Sequence, residues 1–255
     1  MRVIKNLWFL FVLGILASVQ TYPQSQAAIP RQSIYFDHFV FSQVWPPTLC
    51  PAPKQETTDS CNQTVRNHWM IHGLWPGKFH TLDVKYCDNS SIFDPTSIDS
   101  IKTEMEMKWL EWMPVDDDDK PLPVWKHEWE KHGTCSTSLE ILKTQEMYFK
   151  KALELYDSHN MNNVLENANI RPGNYYSVGA ILSGVSRVLG KRCMLHCSTK
   201  PGKNESHLEE LWICFDKSLN LIHCDEVLNF PTDCPWERDV YYPEYPPNDY
   251  KVQVI

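Results

Sequence analysis

The pattern of apolar and polar residues divides the chain into strand-like and helix-like segments. Ile34 to Trp45 (IYFDHFVFSQVW) is dense in aromatic and β-branched residues and predicts a strand. Trp69 to Leu74 predicts a second strand, running into a glycine turn. Asp94-Pro95 then opens a stretch with Ile98, Ile101, Met105, Trp109 and Trp112 at helical spacing, predicting a helix to about Met113. Lys126 to His132 predicts a short helix stopped by Gly133. Ser138 to Asp157 predicts a long amphipathic helix, with Leu139, Leu142, Met147, Phe149, Leu153 and Tyr156 partly on one face. Tyr175 to Leu189 predicts another, ending at Gly190. Short strands follow at Leu211–Phe215, Leu219–Cys224 and about Val240–Tyr242. Strands, then helices, then strands within one chain give an α+β class. Asp116 to Lys120 reads as a solvated loop, and the Pro- and Tyr-rich tail from Tyr241 as an extended strand and coil.

One segment fits no globular element. Leu7 to Ala17 is an unbroken apolar run of 11 residues behind Arg2 and Lys5. That is long enough for the core of a signal peptide and too short to span a bilayer. Residues 1–18 are therefore expected to be a signal peptide, with cleavage between residues 18 and 28, and 29–255 a single soluble domain. Export explains the nine cysteines, all between Cys50 and Cys234 and none in a C-x-x-C pair. Sequons at Asn62, Asn89 and Asn204 agree with export and are expected to carry N-glycans, which are handles for lectin-type receptors. No other segment is apolar enough to span a membrane. The formal net charge of −8 excludes a generally basic, nucleic-acid-coating surface. A polyanionic substrate would have to be held by a local cluster. The charge weakens in an acidic compartment, where the ten histidines protonate.

Two segments concentrate chemistry: Ile71-His72-Gly73-Leu74-Trp75-Pro76, and Lys126-His127-Glu128-Trp129-Glu130-Lys131-His132-Gly133-Thr134-Cys135. On an α-helix, residues four apart lie about 40° apart around the axis. Glu128 and His132 stand in that relation, as do His127 and Lys131, so the four make one wide polar face able to surround a phosphate. Trp129 points elsewhere as a core anchor. A zinc site is disfavoured: His127 and His132 are five apart, about 140° around an α-helix, unlike the four-residue spacing of H-E-x-x-H. A surface helix with i,i+4 Glu–His and His–Lys neighbours and no chemistry is the bland alternative.

The two segments together closely resemble the two active-site motifs of the ribonuclease T2 family (the Rh/T2/S-glycoprotein ribonucleases). The resemblance extends to Gln43-Val44-Trp45-Pro46 and Cys50, to Tyr148-Phe149 and Leu153 to Tyr156, and to Tyr241-Tyr242-Pro243. It implies a ribonuclease Rh-like fold: a central, mainly antiparallel β-sheet flanked by several α-helices and stapled by disulfides. It implies cleavage of single-stranded RNA without metal or cofactor, and not of DNA, because the 2′-OH is the nucleophile. In that chemistry His132 is the base, His72 the acid, Glu128 and Lys131 stabilise the transition state, and His127 holds the phosphate. The product is a 2′,3′-cyclic phosphate. Several groups around a phosphate can raise both imidazole pKa values, favouring weakly acidic pH. Trp45 and Trp75 are candidates for lining base pockets, with core packing the alternative.

The family pattern further implies Cys50–Cys61, Cys87–Cys135, Cys214–Cys224 and Cys197–Cys234, or less readily Cys193–Cys234. Cys193 is then left free. The chain is expected to be secreted or delivered to a lysosome-like compartment, and to act as a monomer. An effector or toxin acting on RNA of other cells, and a recognition glycoprotein with incidental catalysis, are the variants.

Overall fold

The structure, a computed structural model, describes residues 35–49, 67–110, 112–113, 122–199, 205–229 and 231–244. The apolar run at Leu7–Ala17, the Cys50–Cys61 pair, Asn62, Asn204 and the Asp116–Lys120 run lie outside the described residues. No helix among the described residues is long and apolar enough to cross a membrane.

The fold is α+β, built on a seven-stranded sheet. Strand β1 (His38–Val44) lies between β2 (Met70–Gly77) and the long β7 (Ser206–Asp216), antiparallel to both. Strands β6 (Met194–Thr199) and β8 (Leu221–Ile222) also pair antiparallel with β7. The short β9 (Val240–Tyr242) joins β7 in parallel and carries β5 (Asn174–Tyr176) at the edge. A separate two-stranded ladder pairs β3 (Trp112–Met113) with β4 (Leu122–Pro123).

The central strands are covered on both faces, and all seven residues of β1 are buried. The larger core takes Phe39 and Phe41 of β1 and Leu211, Ile213 and Phe215 of β7 against the helices. A smaller cluster of Val40, Trp75, Met194, Trp212 and Leu228 covers the other face. The helices are α1 (Pro46–Leu49), α2 (Lys102–Lys108), α3 (Val124–Glu128), α4 (Thr134–Ser136), α5 (Gln145–Ser158), α6 (Met161–Asn167) and α7 (Val178–Leu189). Helix α5 is fastened to β2 and the residue before it by two tyrosine hydroxyls, Tyr148 donating to the Leu74 carbonyl at 2.8 Å and Tyr156 to that of Trp69 at 2.6 Å.

Local chemistry moved several predicted boundaries. Thr144 accepts from the Met147 amide and caps α5, so the helix starts at Gln145 rather than Ser138. Ser177 does the same for α7, leaving Asn174–Tyr176 free to form β5, and Gly190 ends α7 in the left-handed conformation (φ 71°). The helix expected from Asp94 to Met113 breaks into a 3₁₀ turn at Pro95–Ile98, helix α2, and then β3. Gly133 does not stop its helix. It keeps helical dihedrals (φ −57°), and α4 follows directly. Its hydrogen side chain is needed because the Trp129 ring packs where a Cβ would stand.

Disulfides join Cys87–Cys135, Cys197–Cys234 and Cys214–Cys224, the pairings the family pattern implies for these six residues. Cys193 is free and buried.

Candidate active site

Two backbone irregularities build the site. The first is a β-bulge in β2. Ser42 of β1 pairs with Gly73 and the next residue, Gln43, pairs with Ile71, so His72 is the extra residue without a partner on β1. In a regular strand, residues three apart point to opposite faces. The bulge cancels that step and brings the His72 and Trp75 rings together, centroids 5.0 Å apart and perpendicular. The His72 carbonyl accepts the Trp109 indole N–H at 2.8 Å.

The second is a π turn. The helix that starts as α3 passes through a π-helical turn at Trp129–Gly133 before α4. In a π turn the repeat lengthens to i→i+5, so residues five apart come onto one face. His127 and His132 accordingly have ring centroids 6.3 Å apart. One donor atom each from His127, Glu128 and His132 falls within 4.8 Å of the others. The spacing argument against a shared ion assumed α-helical geometry and does not hold here. The same convergence suits the oxygens of a phosphate, especially with Lys131 alongside, its Nζ 3.2 Å from His127 Nε2.

The two segments meet at Glu128. Its Oε2 accepts the Trp75 indole N–H at 2.6 Å, and its Oε1 lies 3.8 Å from His72 Nε2. Gly73 permits this approach, since a Cβ there would stand on Glu128 Oε2 and Trp75 Nε1. The Trp75 ring also packs on His132, with centroids 5.5 Å apart. A single indole thus touches both histidines and the carboxylate, and it is 6% exposed. Trp45 is elsewhere. At 1% exposure it packs on Trp69 and Tyr242 and donates to the Pro243 carbonyl, so no face is left for a base and it is a core residue. Asn89 is exposed, as a glycan acceptor requires.

The electrostatics separate the two histidines. Burial pushes His72 down, but the charge and hydrogen bond of Glu210 and the charge of Glu128 outweigh it, and the net shift is upward. His132 is pushed well below the ordinary histidine value by burial and by the positive charges of Lys131, His127 and His72. In the free protein, then, burial beside Lys131 lowers His132, and only His72 is raised. Burial raises the Glu128 carboxyl to about 7 against the lowering effects of His72, the Trp75 N–H and Lys131. His127 falls to about 4 by burial and the neighbouring charges of Lys131 and His72.

Motif reading did not find Glu210. It lies on β7, is buried, and accepts His72 Nδ1–H at 2.8 Å. The available signal was a charged residue directly preceding the apolar run Leu211–Phe215 of a strand, where burial of a charge calls for a partner.

These features define a disulfide-stapled α+β domain in which two histidines and a buried carboxyl group meet on one indole ring. A sequence model of the Ribonuclease T2 family matches residues 36–224, and the chain belongs to that family. It is 31% identical over 215 residues to Ribonuclease Oy of Magallana gigas, covering 82% of this chain and 96% of that protein. It is 32% identical over 195 residues to the extracellular ribonuclease LE of Solanum lycopersicum, covering 74% of this chain and 80% of that one. Among solved structures, human RNase T2 superposes with a TM-score of 0.66 at 29% identity, over 82% of this chain and 99% of that chain. RNase MC1 from bitter gourd seeds, also solved as a mutant with bound 5′-UMP, gives 0.66 at 28%, over 81% and 100%.

Proposed function

We propose that the chain is a secreted endoribonuclease that cleaves single-stranded RNA by metal-independent transphosphorylation. The observation that carries this reading is the convergence of His72, Glu128 and His132 on the Trp75 indole, with the two histidines displaced in opposite directions. His132 stands neutral and ready to take a proton, and His72 stands protonated and ready to give one. His132 accepts the proton of the ribose 2′-OH as that oxygen attacks the adjacent phosphorus. The P–O5′ bond breaks, and His72 delivers its proton from Nε2 to the departing 5′-oxygen. The products are a 2′,3′-cyclic phosphate and a 5′-OH. DNA lacks the nucleophile and is not a substrate.

Lys131 supplies positive charge for the crowded phosphorane oxygens where the molecule as a whole is acidic. Below about pH 7 Glu128 is in its acid form and donates a hydrogen bond from Oε1 to a phosphoryl oxygen, where a carboxylate would repel it. His127, neutral and beside Lys131, helps hold the phosphate. Trp75 positions these groups with its edge and its N–H. The nucleotide-bound relatives support an RNA substrate. The N-terminal apolar run and the sequons support export, with a lysosome-like compartment as the other destination.

The test is cleavage of single-stranded RNA in EDTA from about pH 4 to 8, with His72→Ala and His132→Ala alongside. Chelator-resistant, bell-shaped activity that yields cyclic phosphate and is lost in both variants supports the reading. A folded wild type with no activity sinks it and favours the recognition glycoprotein. Loss of activity in EDTA with recovery on adding a divalent cation would make His127, Glu128 and His132 an ion site instead.

A further inference from the structure

Glu210 belongs to neither motif, yet it touches the proposed acid directly. Its carboxylate is almost fully buried and accepts three hydrogen bonds: from His72 Nδ1 at 2.8 Å, Ser42 Oγ at 2.8 Å and Trp212 Nε1 at 2.6 Å. The indole can only donate, so the oxygen facing it must accept, as the ionised form does. An isolated buried carboxylate is costly, and a buried ion pair is weak as a stabilising device. Its placement against the back of His72 therefore asks for another explanation.

We infer that Glu210 is a positioning residue for RNA cleavage: it holds His72 by Nδ1–H, fixes the ring's orientation, and so presents Nε2 to the departing oxygen as the proton donor. This rests on the endoribonuclease reading above. The groups facing His72 come from three elements: Glu210 from β7, Glu128 from α3, and Lys131 with His127 and His132 from the same helix and its π turn. Lys131 opposes protonation of His72, and the Glu210 carboxylate on Nδ1 offsets it. After Nε2 gives up its proton, the Nδ1–H···Glu210 bond keeps the neutral ring in the tautomer whose free nitrogen is Nε2. That nitrogen is then placed to accept a proton from water in hydrolysis of the cyclic phosphate. The arrangement follows the general logic of a carboxylate orienting a catalytic imidazole.

Glu210→Gln keeps an oxygen for Nδ1–H and removes the charge. At pH 7, kcat is expected to fall about fourfold or more, because only about a quarter of a histidine of ordinary pKa is protonated there. KM for RNA should change less than about twofold, because Glu210 does not face substrate. At about pH 4.5, where His72 is protonated without help, kcat should return to within about threefold of wild type. Glu210→Asp should restore part of the pH 7 activity. The pKa of His72, read by NMR from its ring protons, should drop in Glu210→Gln. A uniform loss at every pH, or an unmoved His72 titration, overturns the inference.

One wild-type measurement does not depend on a variant folding or on activity. The ring ¹⁵N shifts of deprotonated His72 should report the Nδ1–H tautomer, and an Nε2–H tautomer overturns the inference. If wild type cleaves no RNA but shows that tautomer, the contact stands and the function reading is what failed.

Discussion

Gly73→Ala gives a test in which two rules predict opposite signs. Gly73 sits in β2 and does not have the positive φ that Gly173 and Gly190 show, so an alanine backbone is permitted there. Replacing glycine by alanine at such a site normally stabilises by about 0.4–1 kcal/mol by restricting the unfolded chain. Here the added Cβ falls on Glu128 Oε2 and Trp75 Nε1, the two atoms of a buried 2.6 Å hydrogen bond. Losing a hydrogen bond to a carboxylate costs about 1.5–3 kcal/mol. Forcing a methyl group into a packed interior costs about 1–3 kcal/mol more. Neither neighbour yields easily, because Trp75 also packs on His72, His132 and Trp212. The net expectation is a destabilisation of about 2–5 kcal/mol, together with a loss of RNA cleavage of about 100-fold as the acid and base are displaced. Urea unfolding at pH 8, where Glu128 is ionised, followed by tryptophan fluorescence gives the first figure, and initial cleavage rates at weakly acidic pH give the second. An alanine variant as stable and as active as wild type would refute the reasoning, since the close approach of strand and helix would then have no energetic consequence.

Trp75→Phe keeps an aromatic ring but removes the N–H that lowers the Glu128 pKa, so that pKa should rise further above about 7. A carboxyl raised in the folded state stabilises fully below its unfolded pKa and loses that contribution as pH rises through its folded pKa. Trp75→Phe should therefore cost about 1.5–3 kcal/mol more at pH 8 than at pH 5, on top of a pH-independent packing loss, measured by paired urea titrations. An equal cost at both would argue that the ring, not its N–H, is what matters. Removing the Cys87–Cys135 bridge, which closes 48 residues, should cost about 2–4 kcal/mol. Activity should fall with it, because the adjacent Tyr86 amide is held on the Lys131 carbonyl at 2.8 Å. Thermal melts and cleavage rates of the double serine variant check both.

What could be read from the sequence was read where local chemistry agrees with the global fold. The strand through Val40, the amphipathic face carrying Phe149, Leu153 and Tyr156, and the glycine end of α7 are all regular, and period and capping rules find them. Helix α6 and strand β6 escaped because neither shows a clean period. In β6, Met194 and Leu195 are buried in succession, while His196 and Cys197 are partly covered by other elements. The reactive side chains were legible only as motifs. Composition placed a histidine, a glutamate and a lysine close together but said nothing of Glu210, which lies 138 residues from His72 and reaches it across the sheet.

The places where spacing rules failed are the places where the chemistry sits. Period-2 alternation puts His72 and Trp75 on opposite faces, and a one-residue bulge reverses that. Period-3.6 winding separates His127 from His132, and a π turn closes the gap. Each irregularity gives up regular backbone pairing and changes the side-chain phase, at the segment whose histidine must meet the other's surroundings. A regular strand and a regular α-helix with these same residues would leave His72 without Trp75 beside it, and His132 turned away from His127. The site therefore depends on two insertions relative to ideal geometry as much as on residue type. This also explains why Gly73 and Gly133 stand where they do. Neither is needed for a turn. Each makes room, one for the Glu128–Trp75 contact and one for the Trp129 ring inside the π turn.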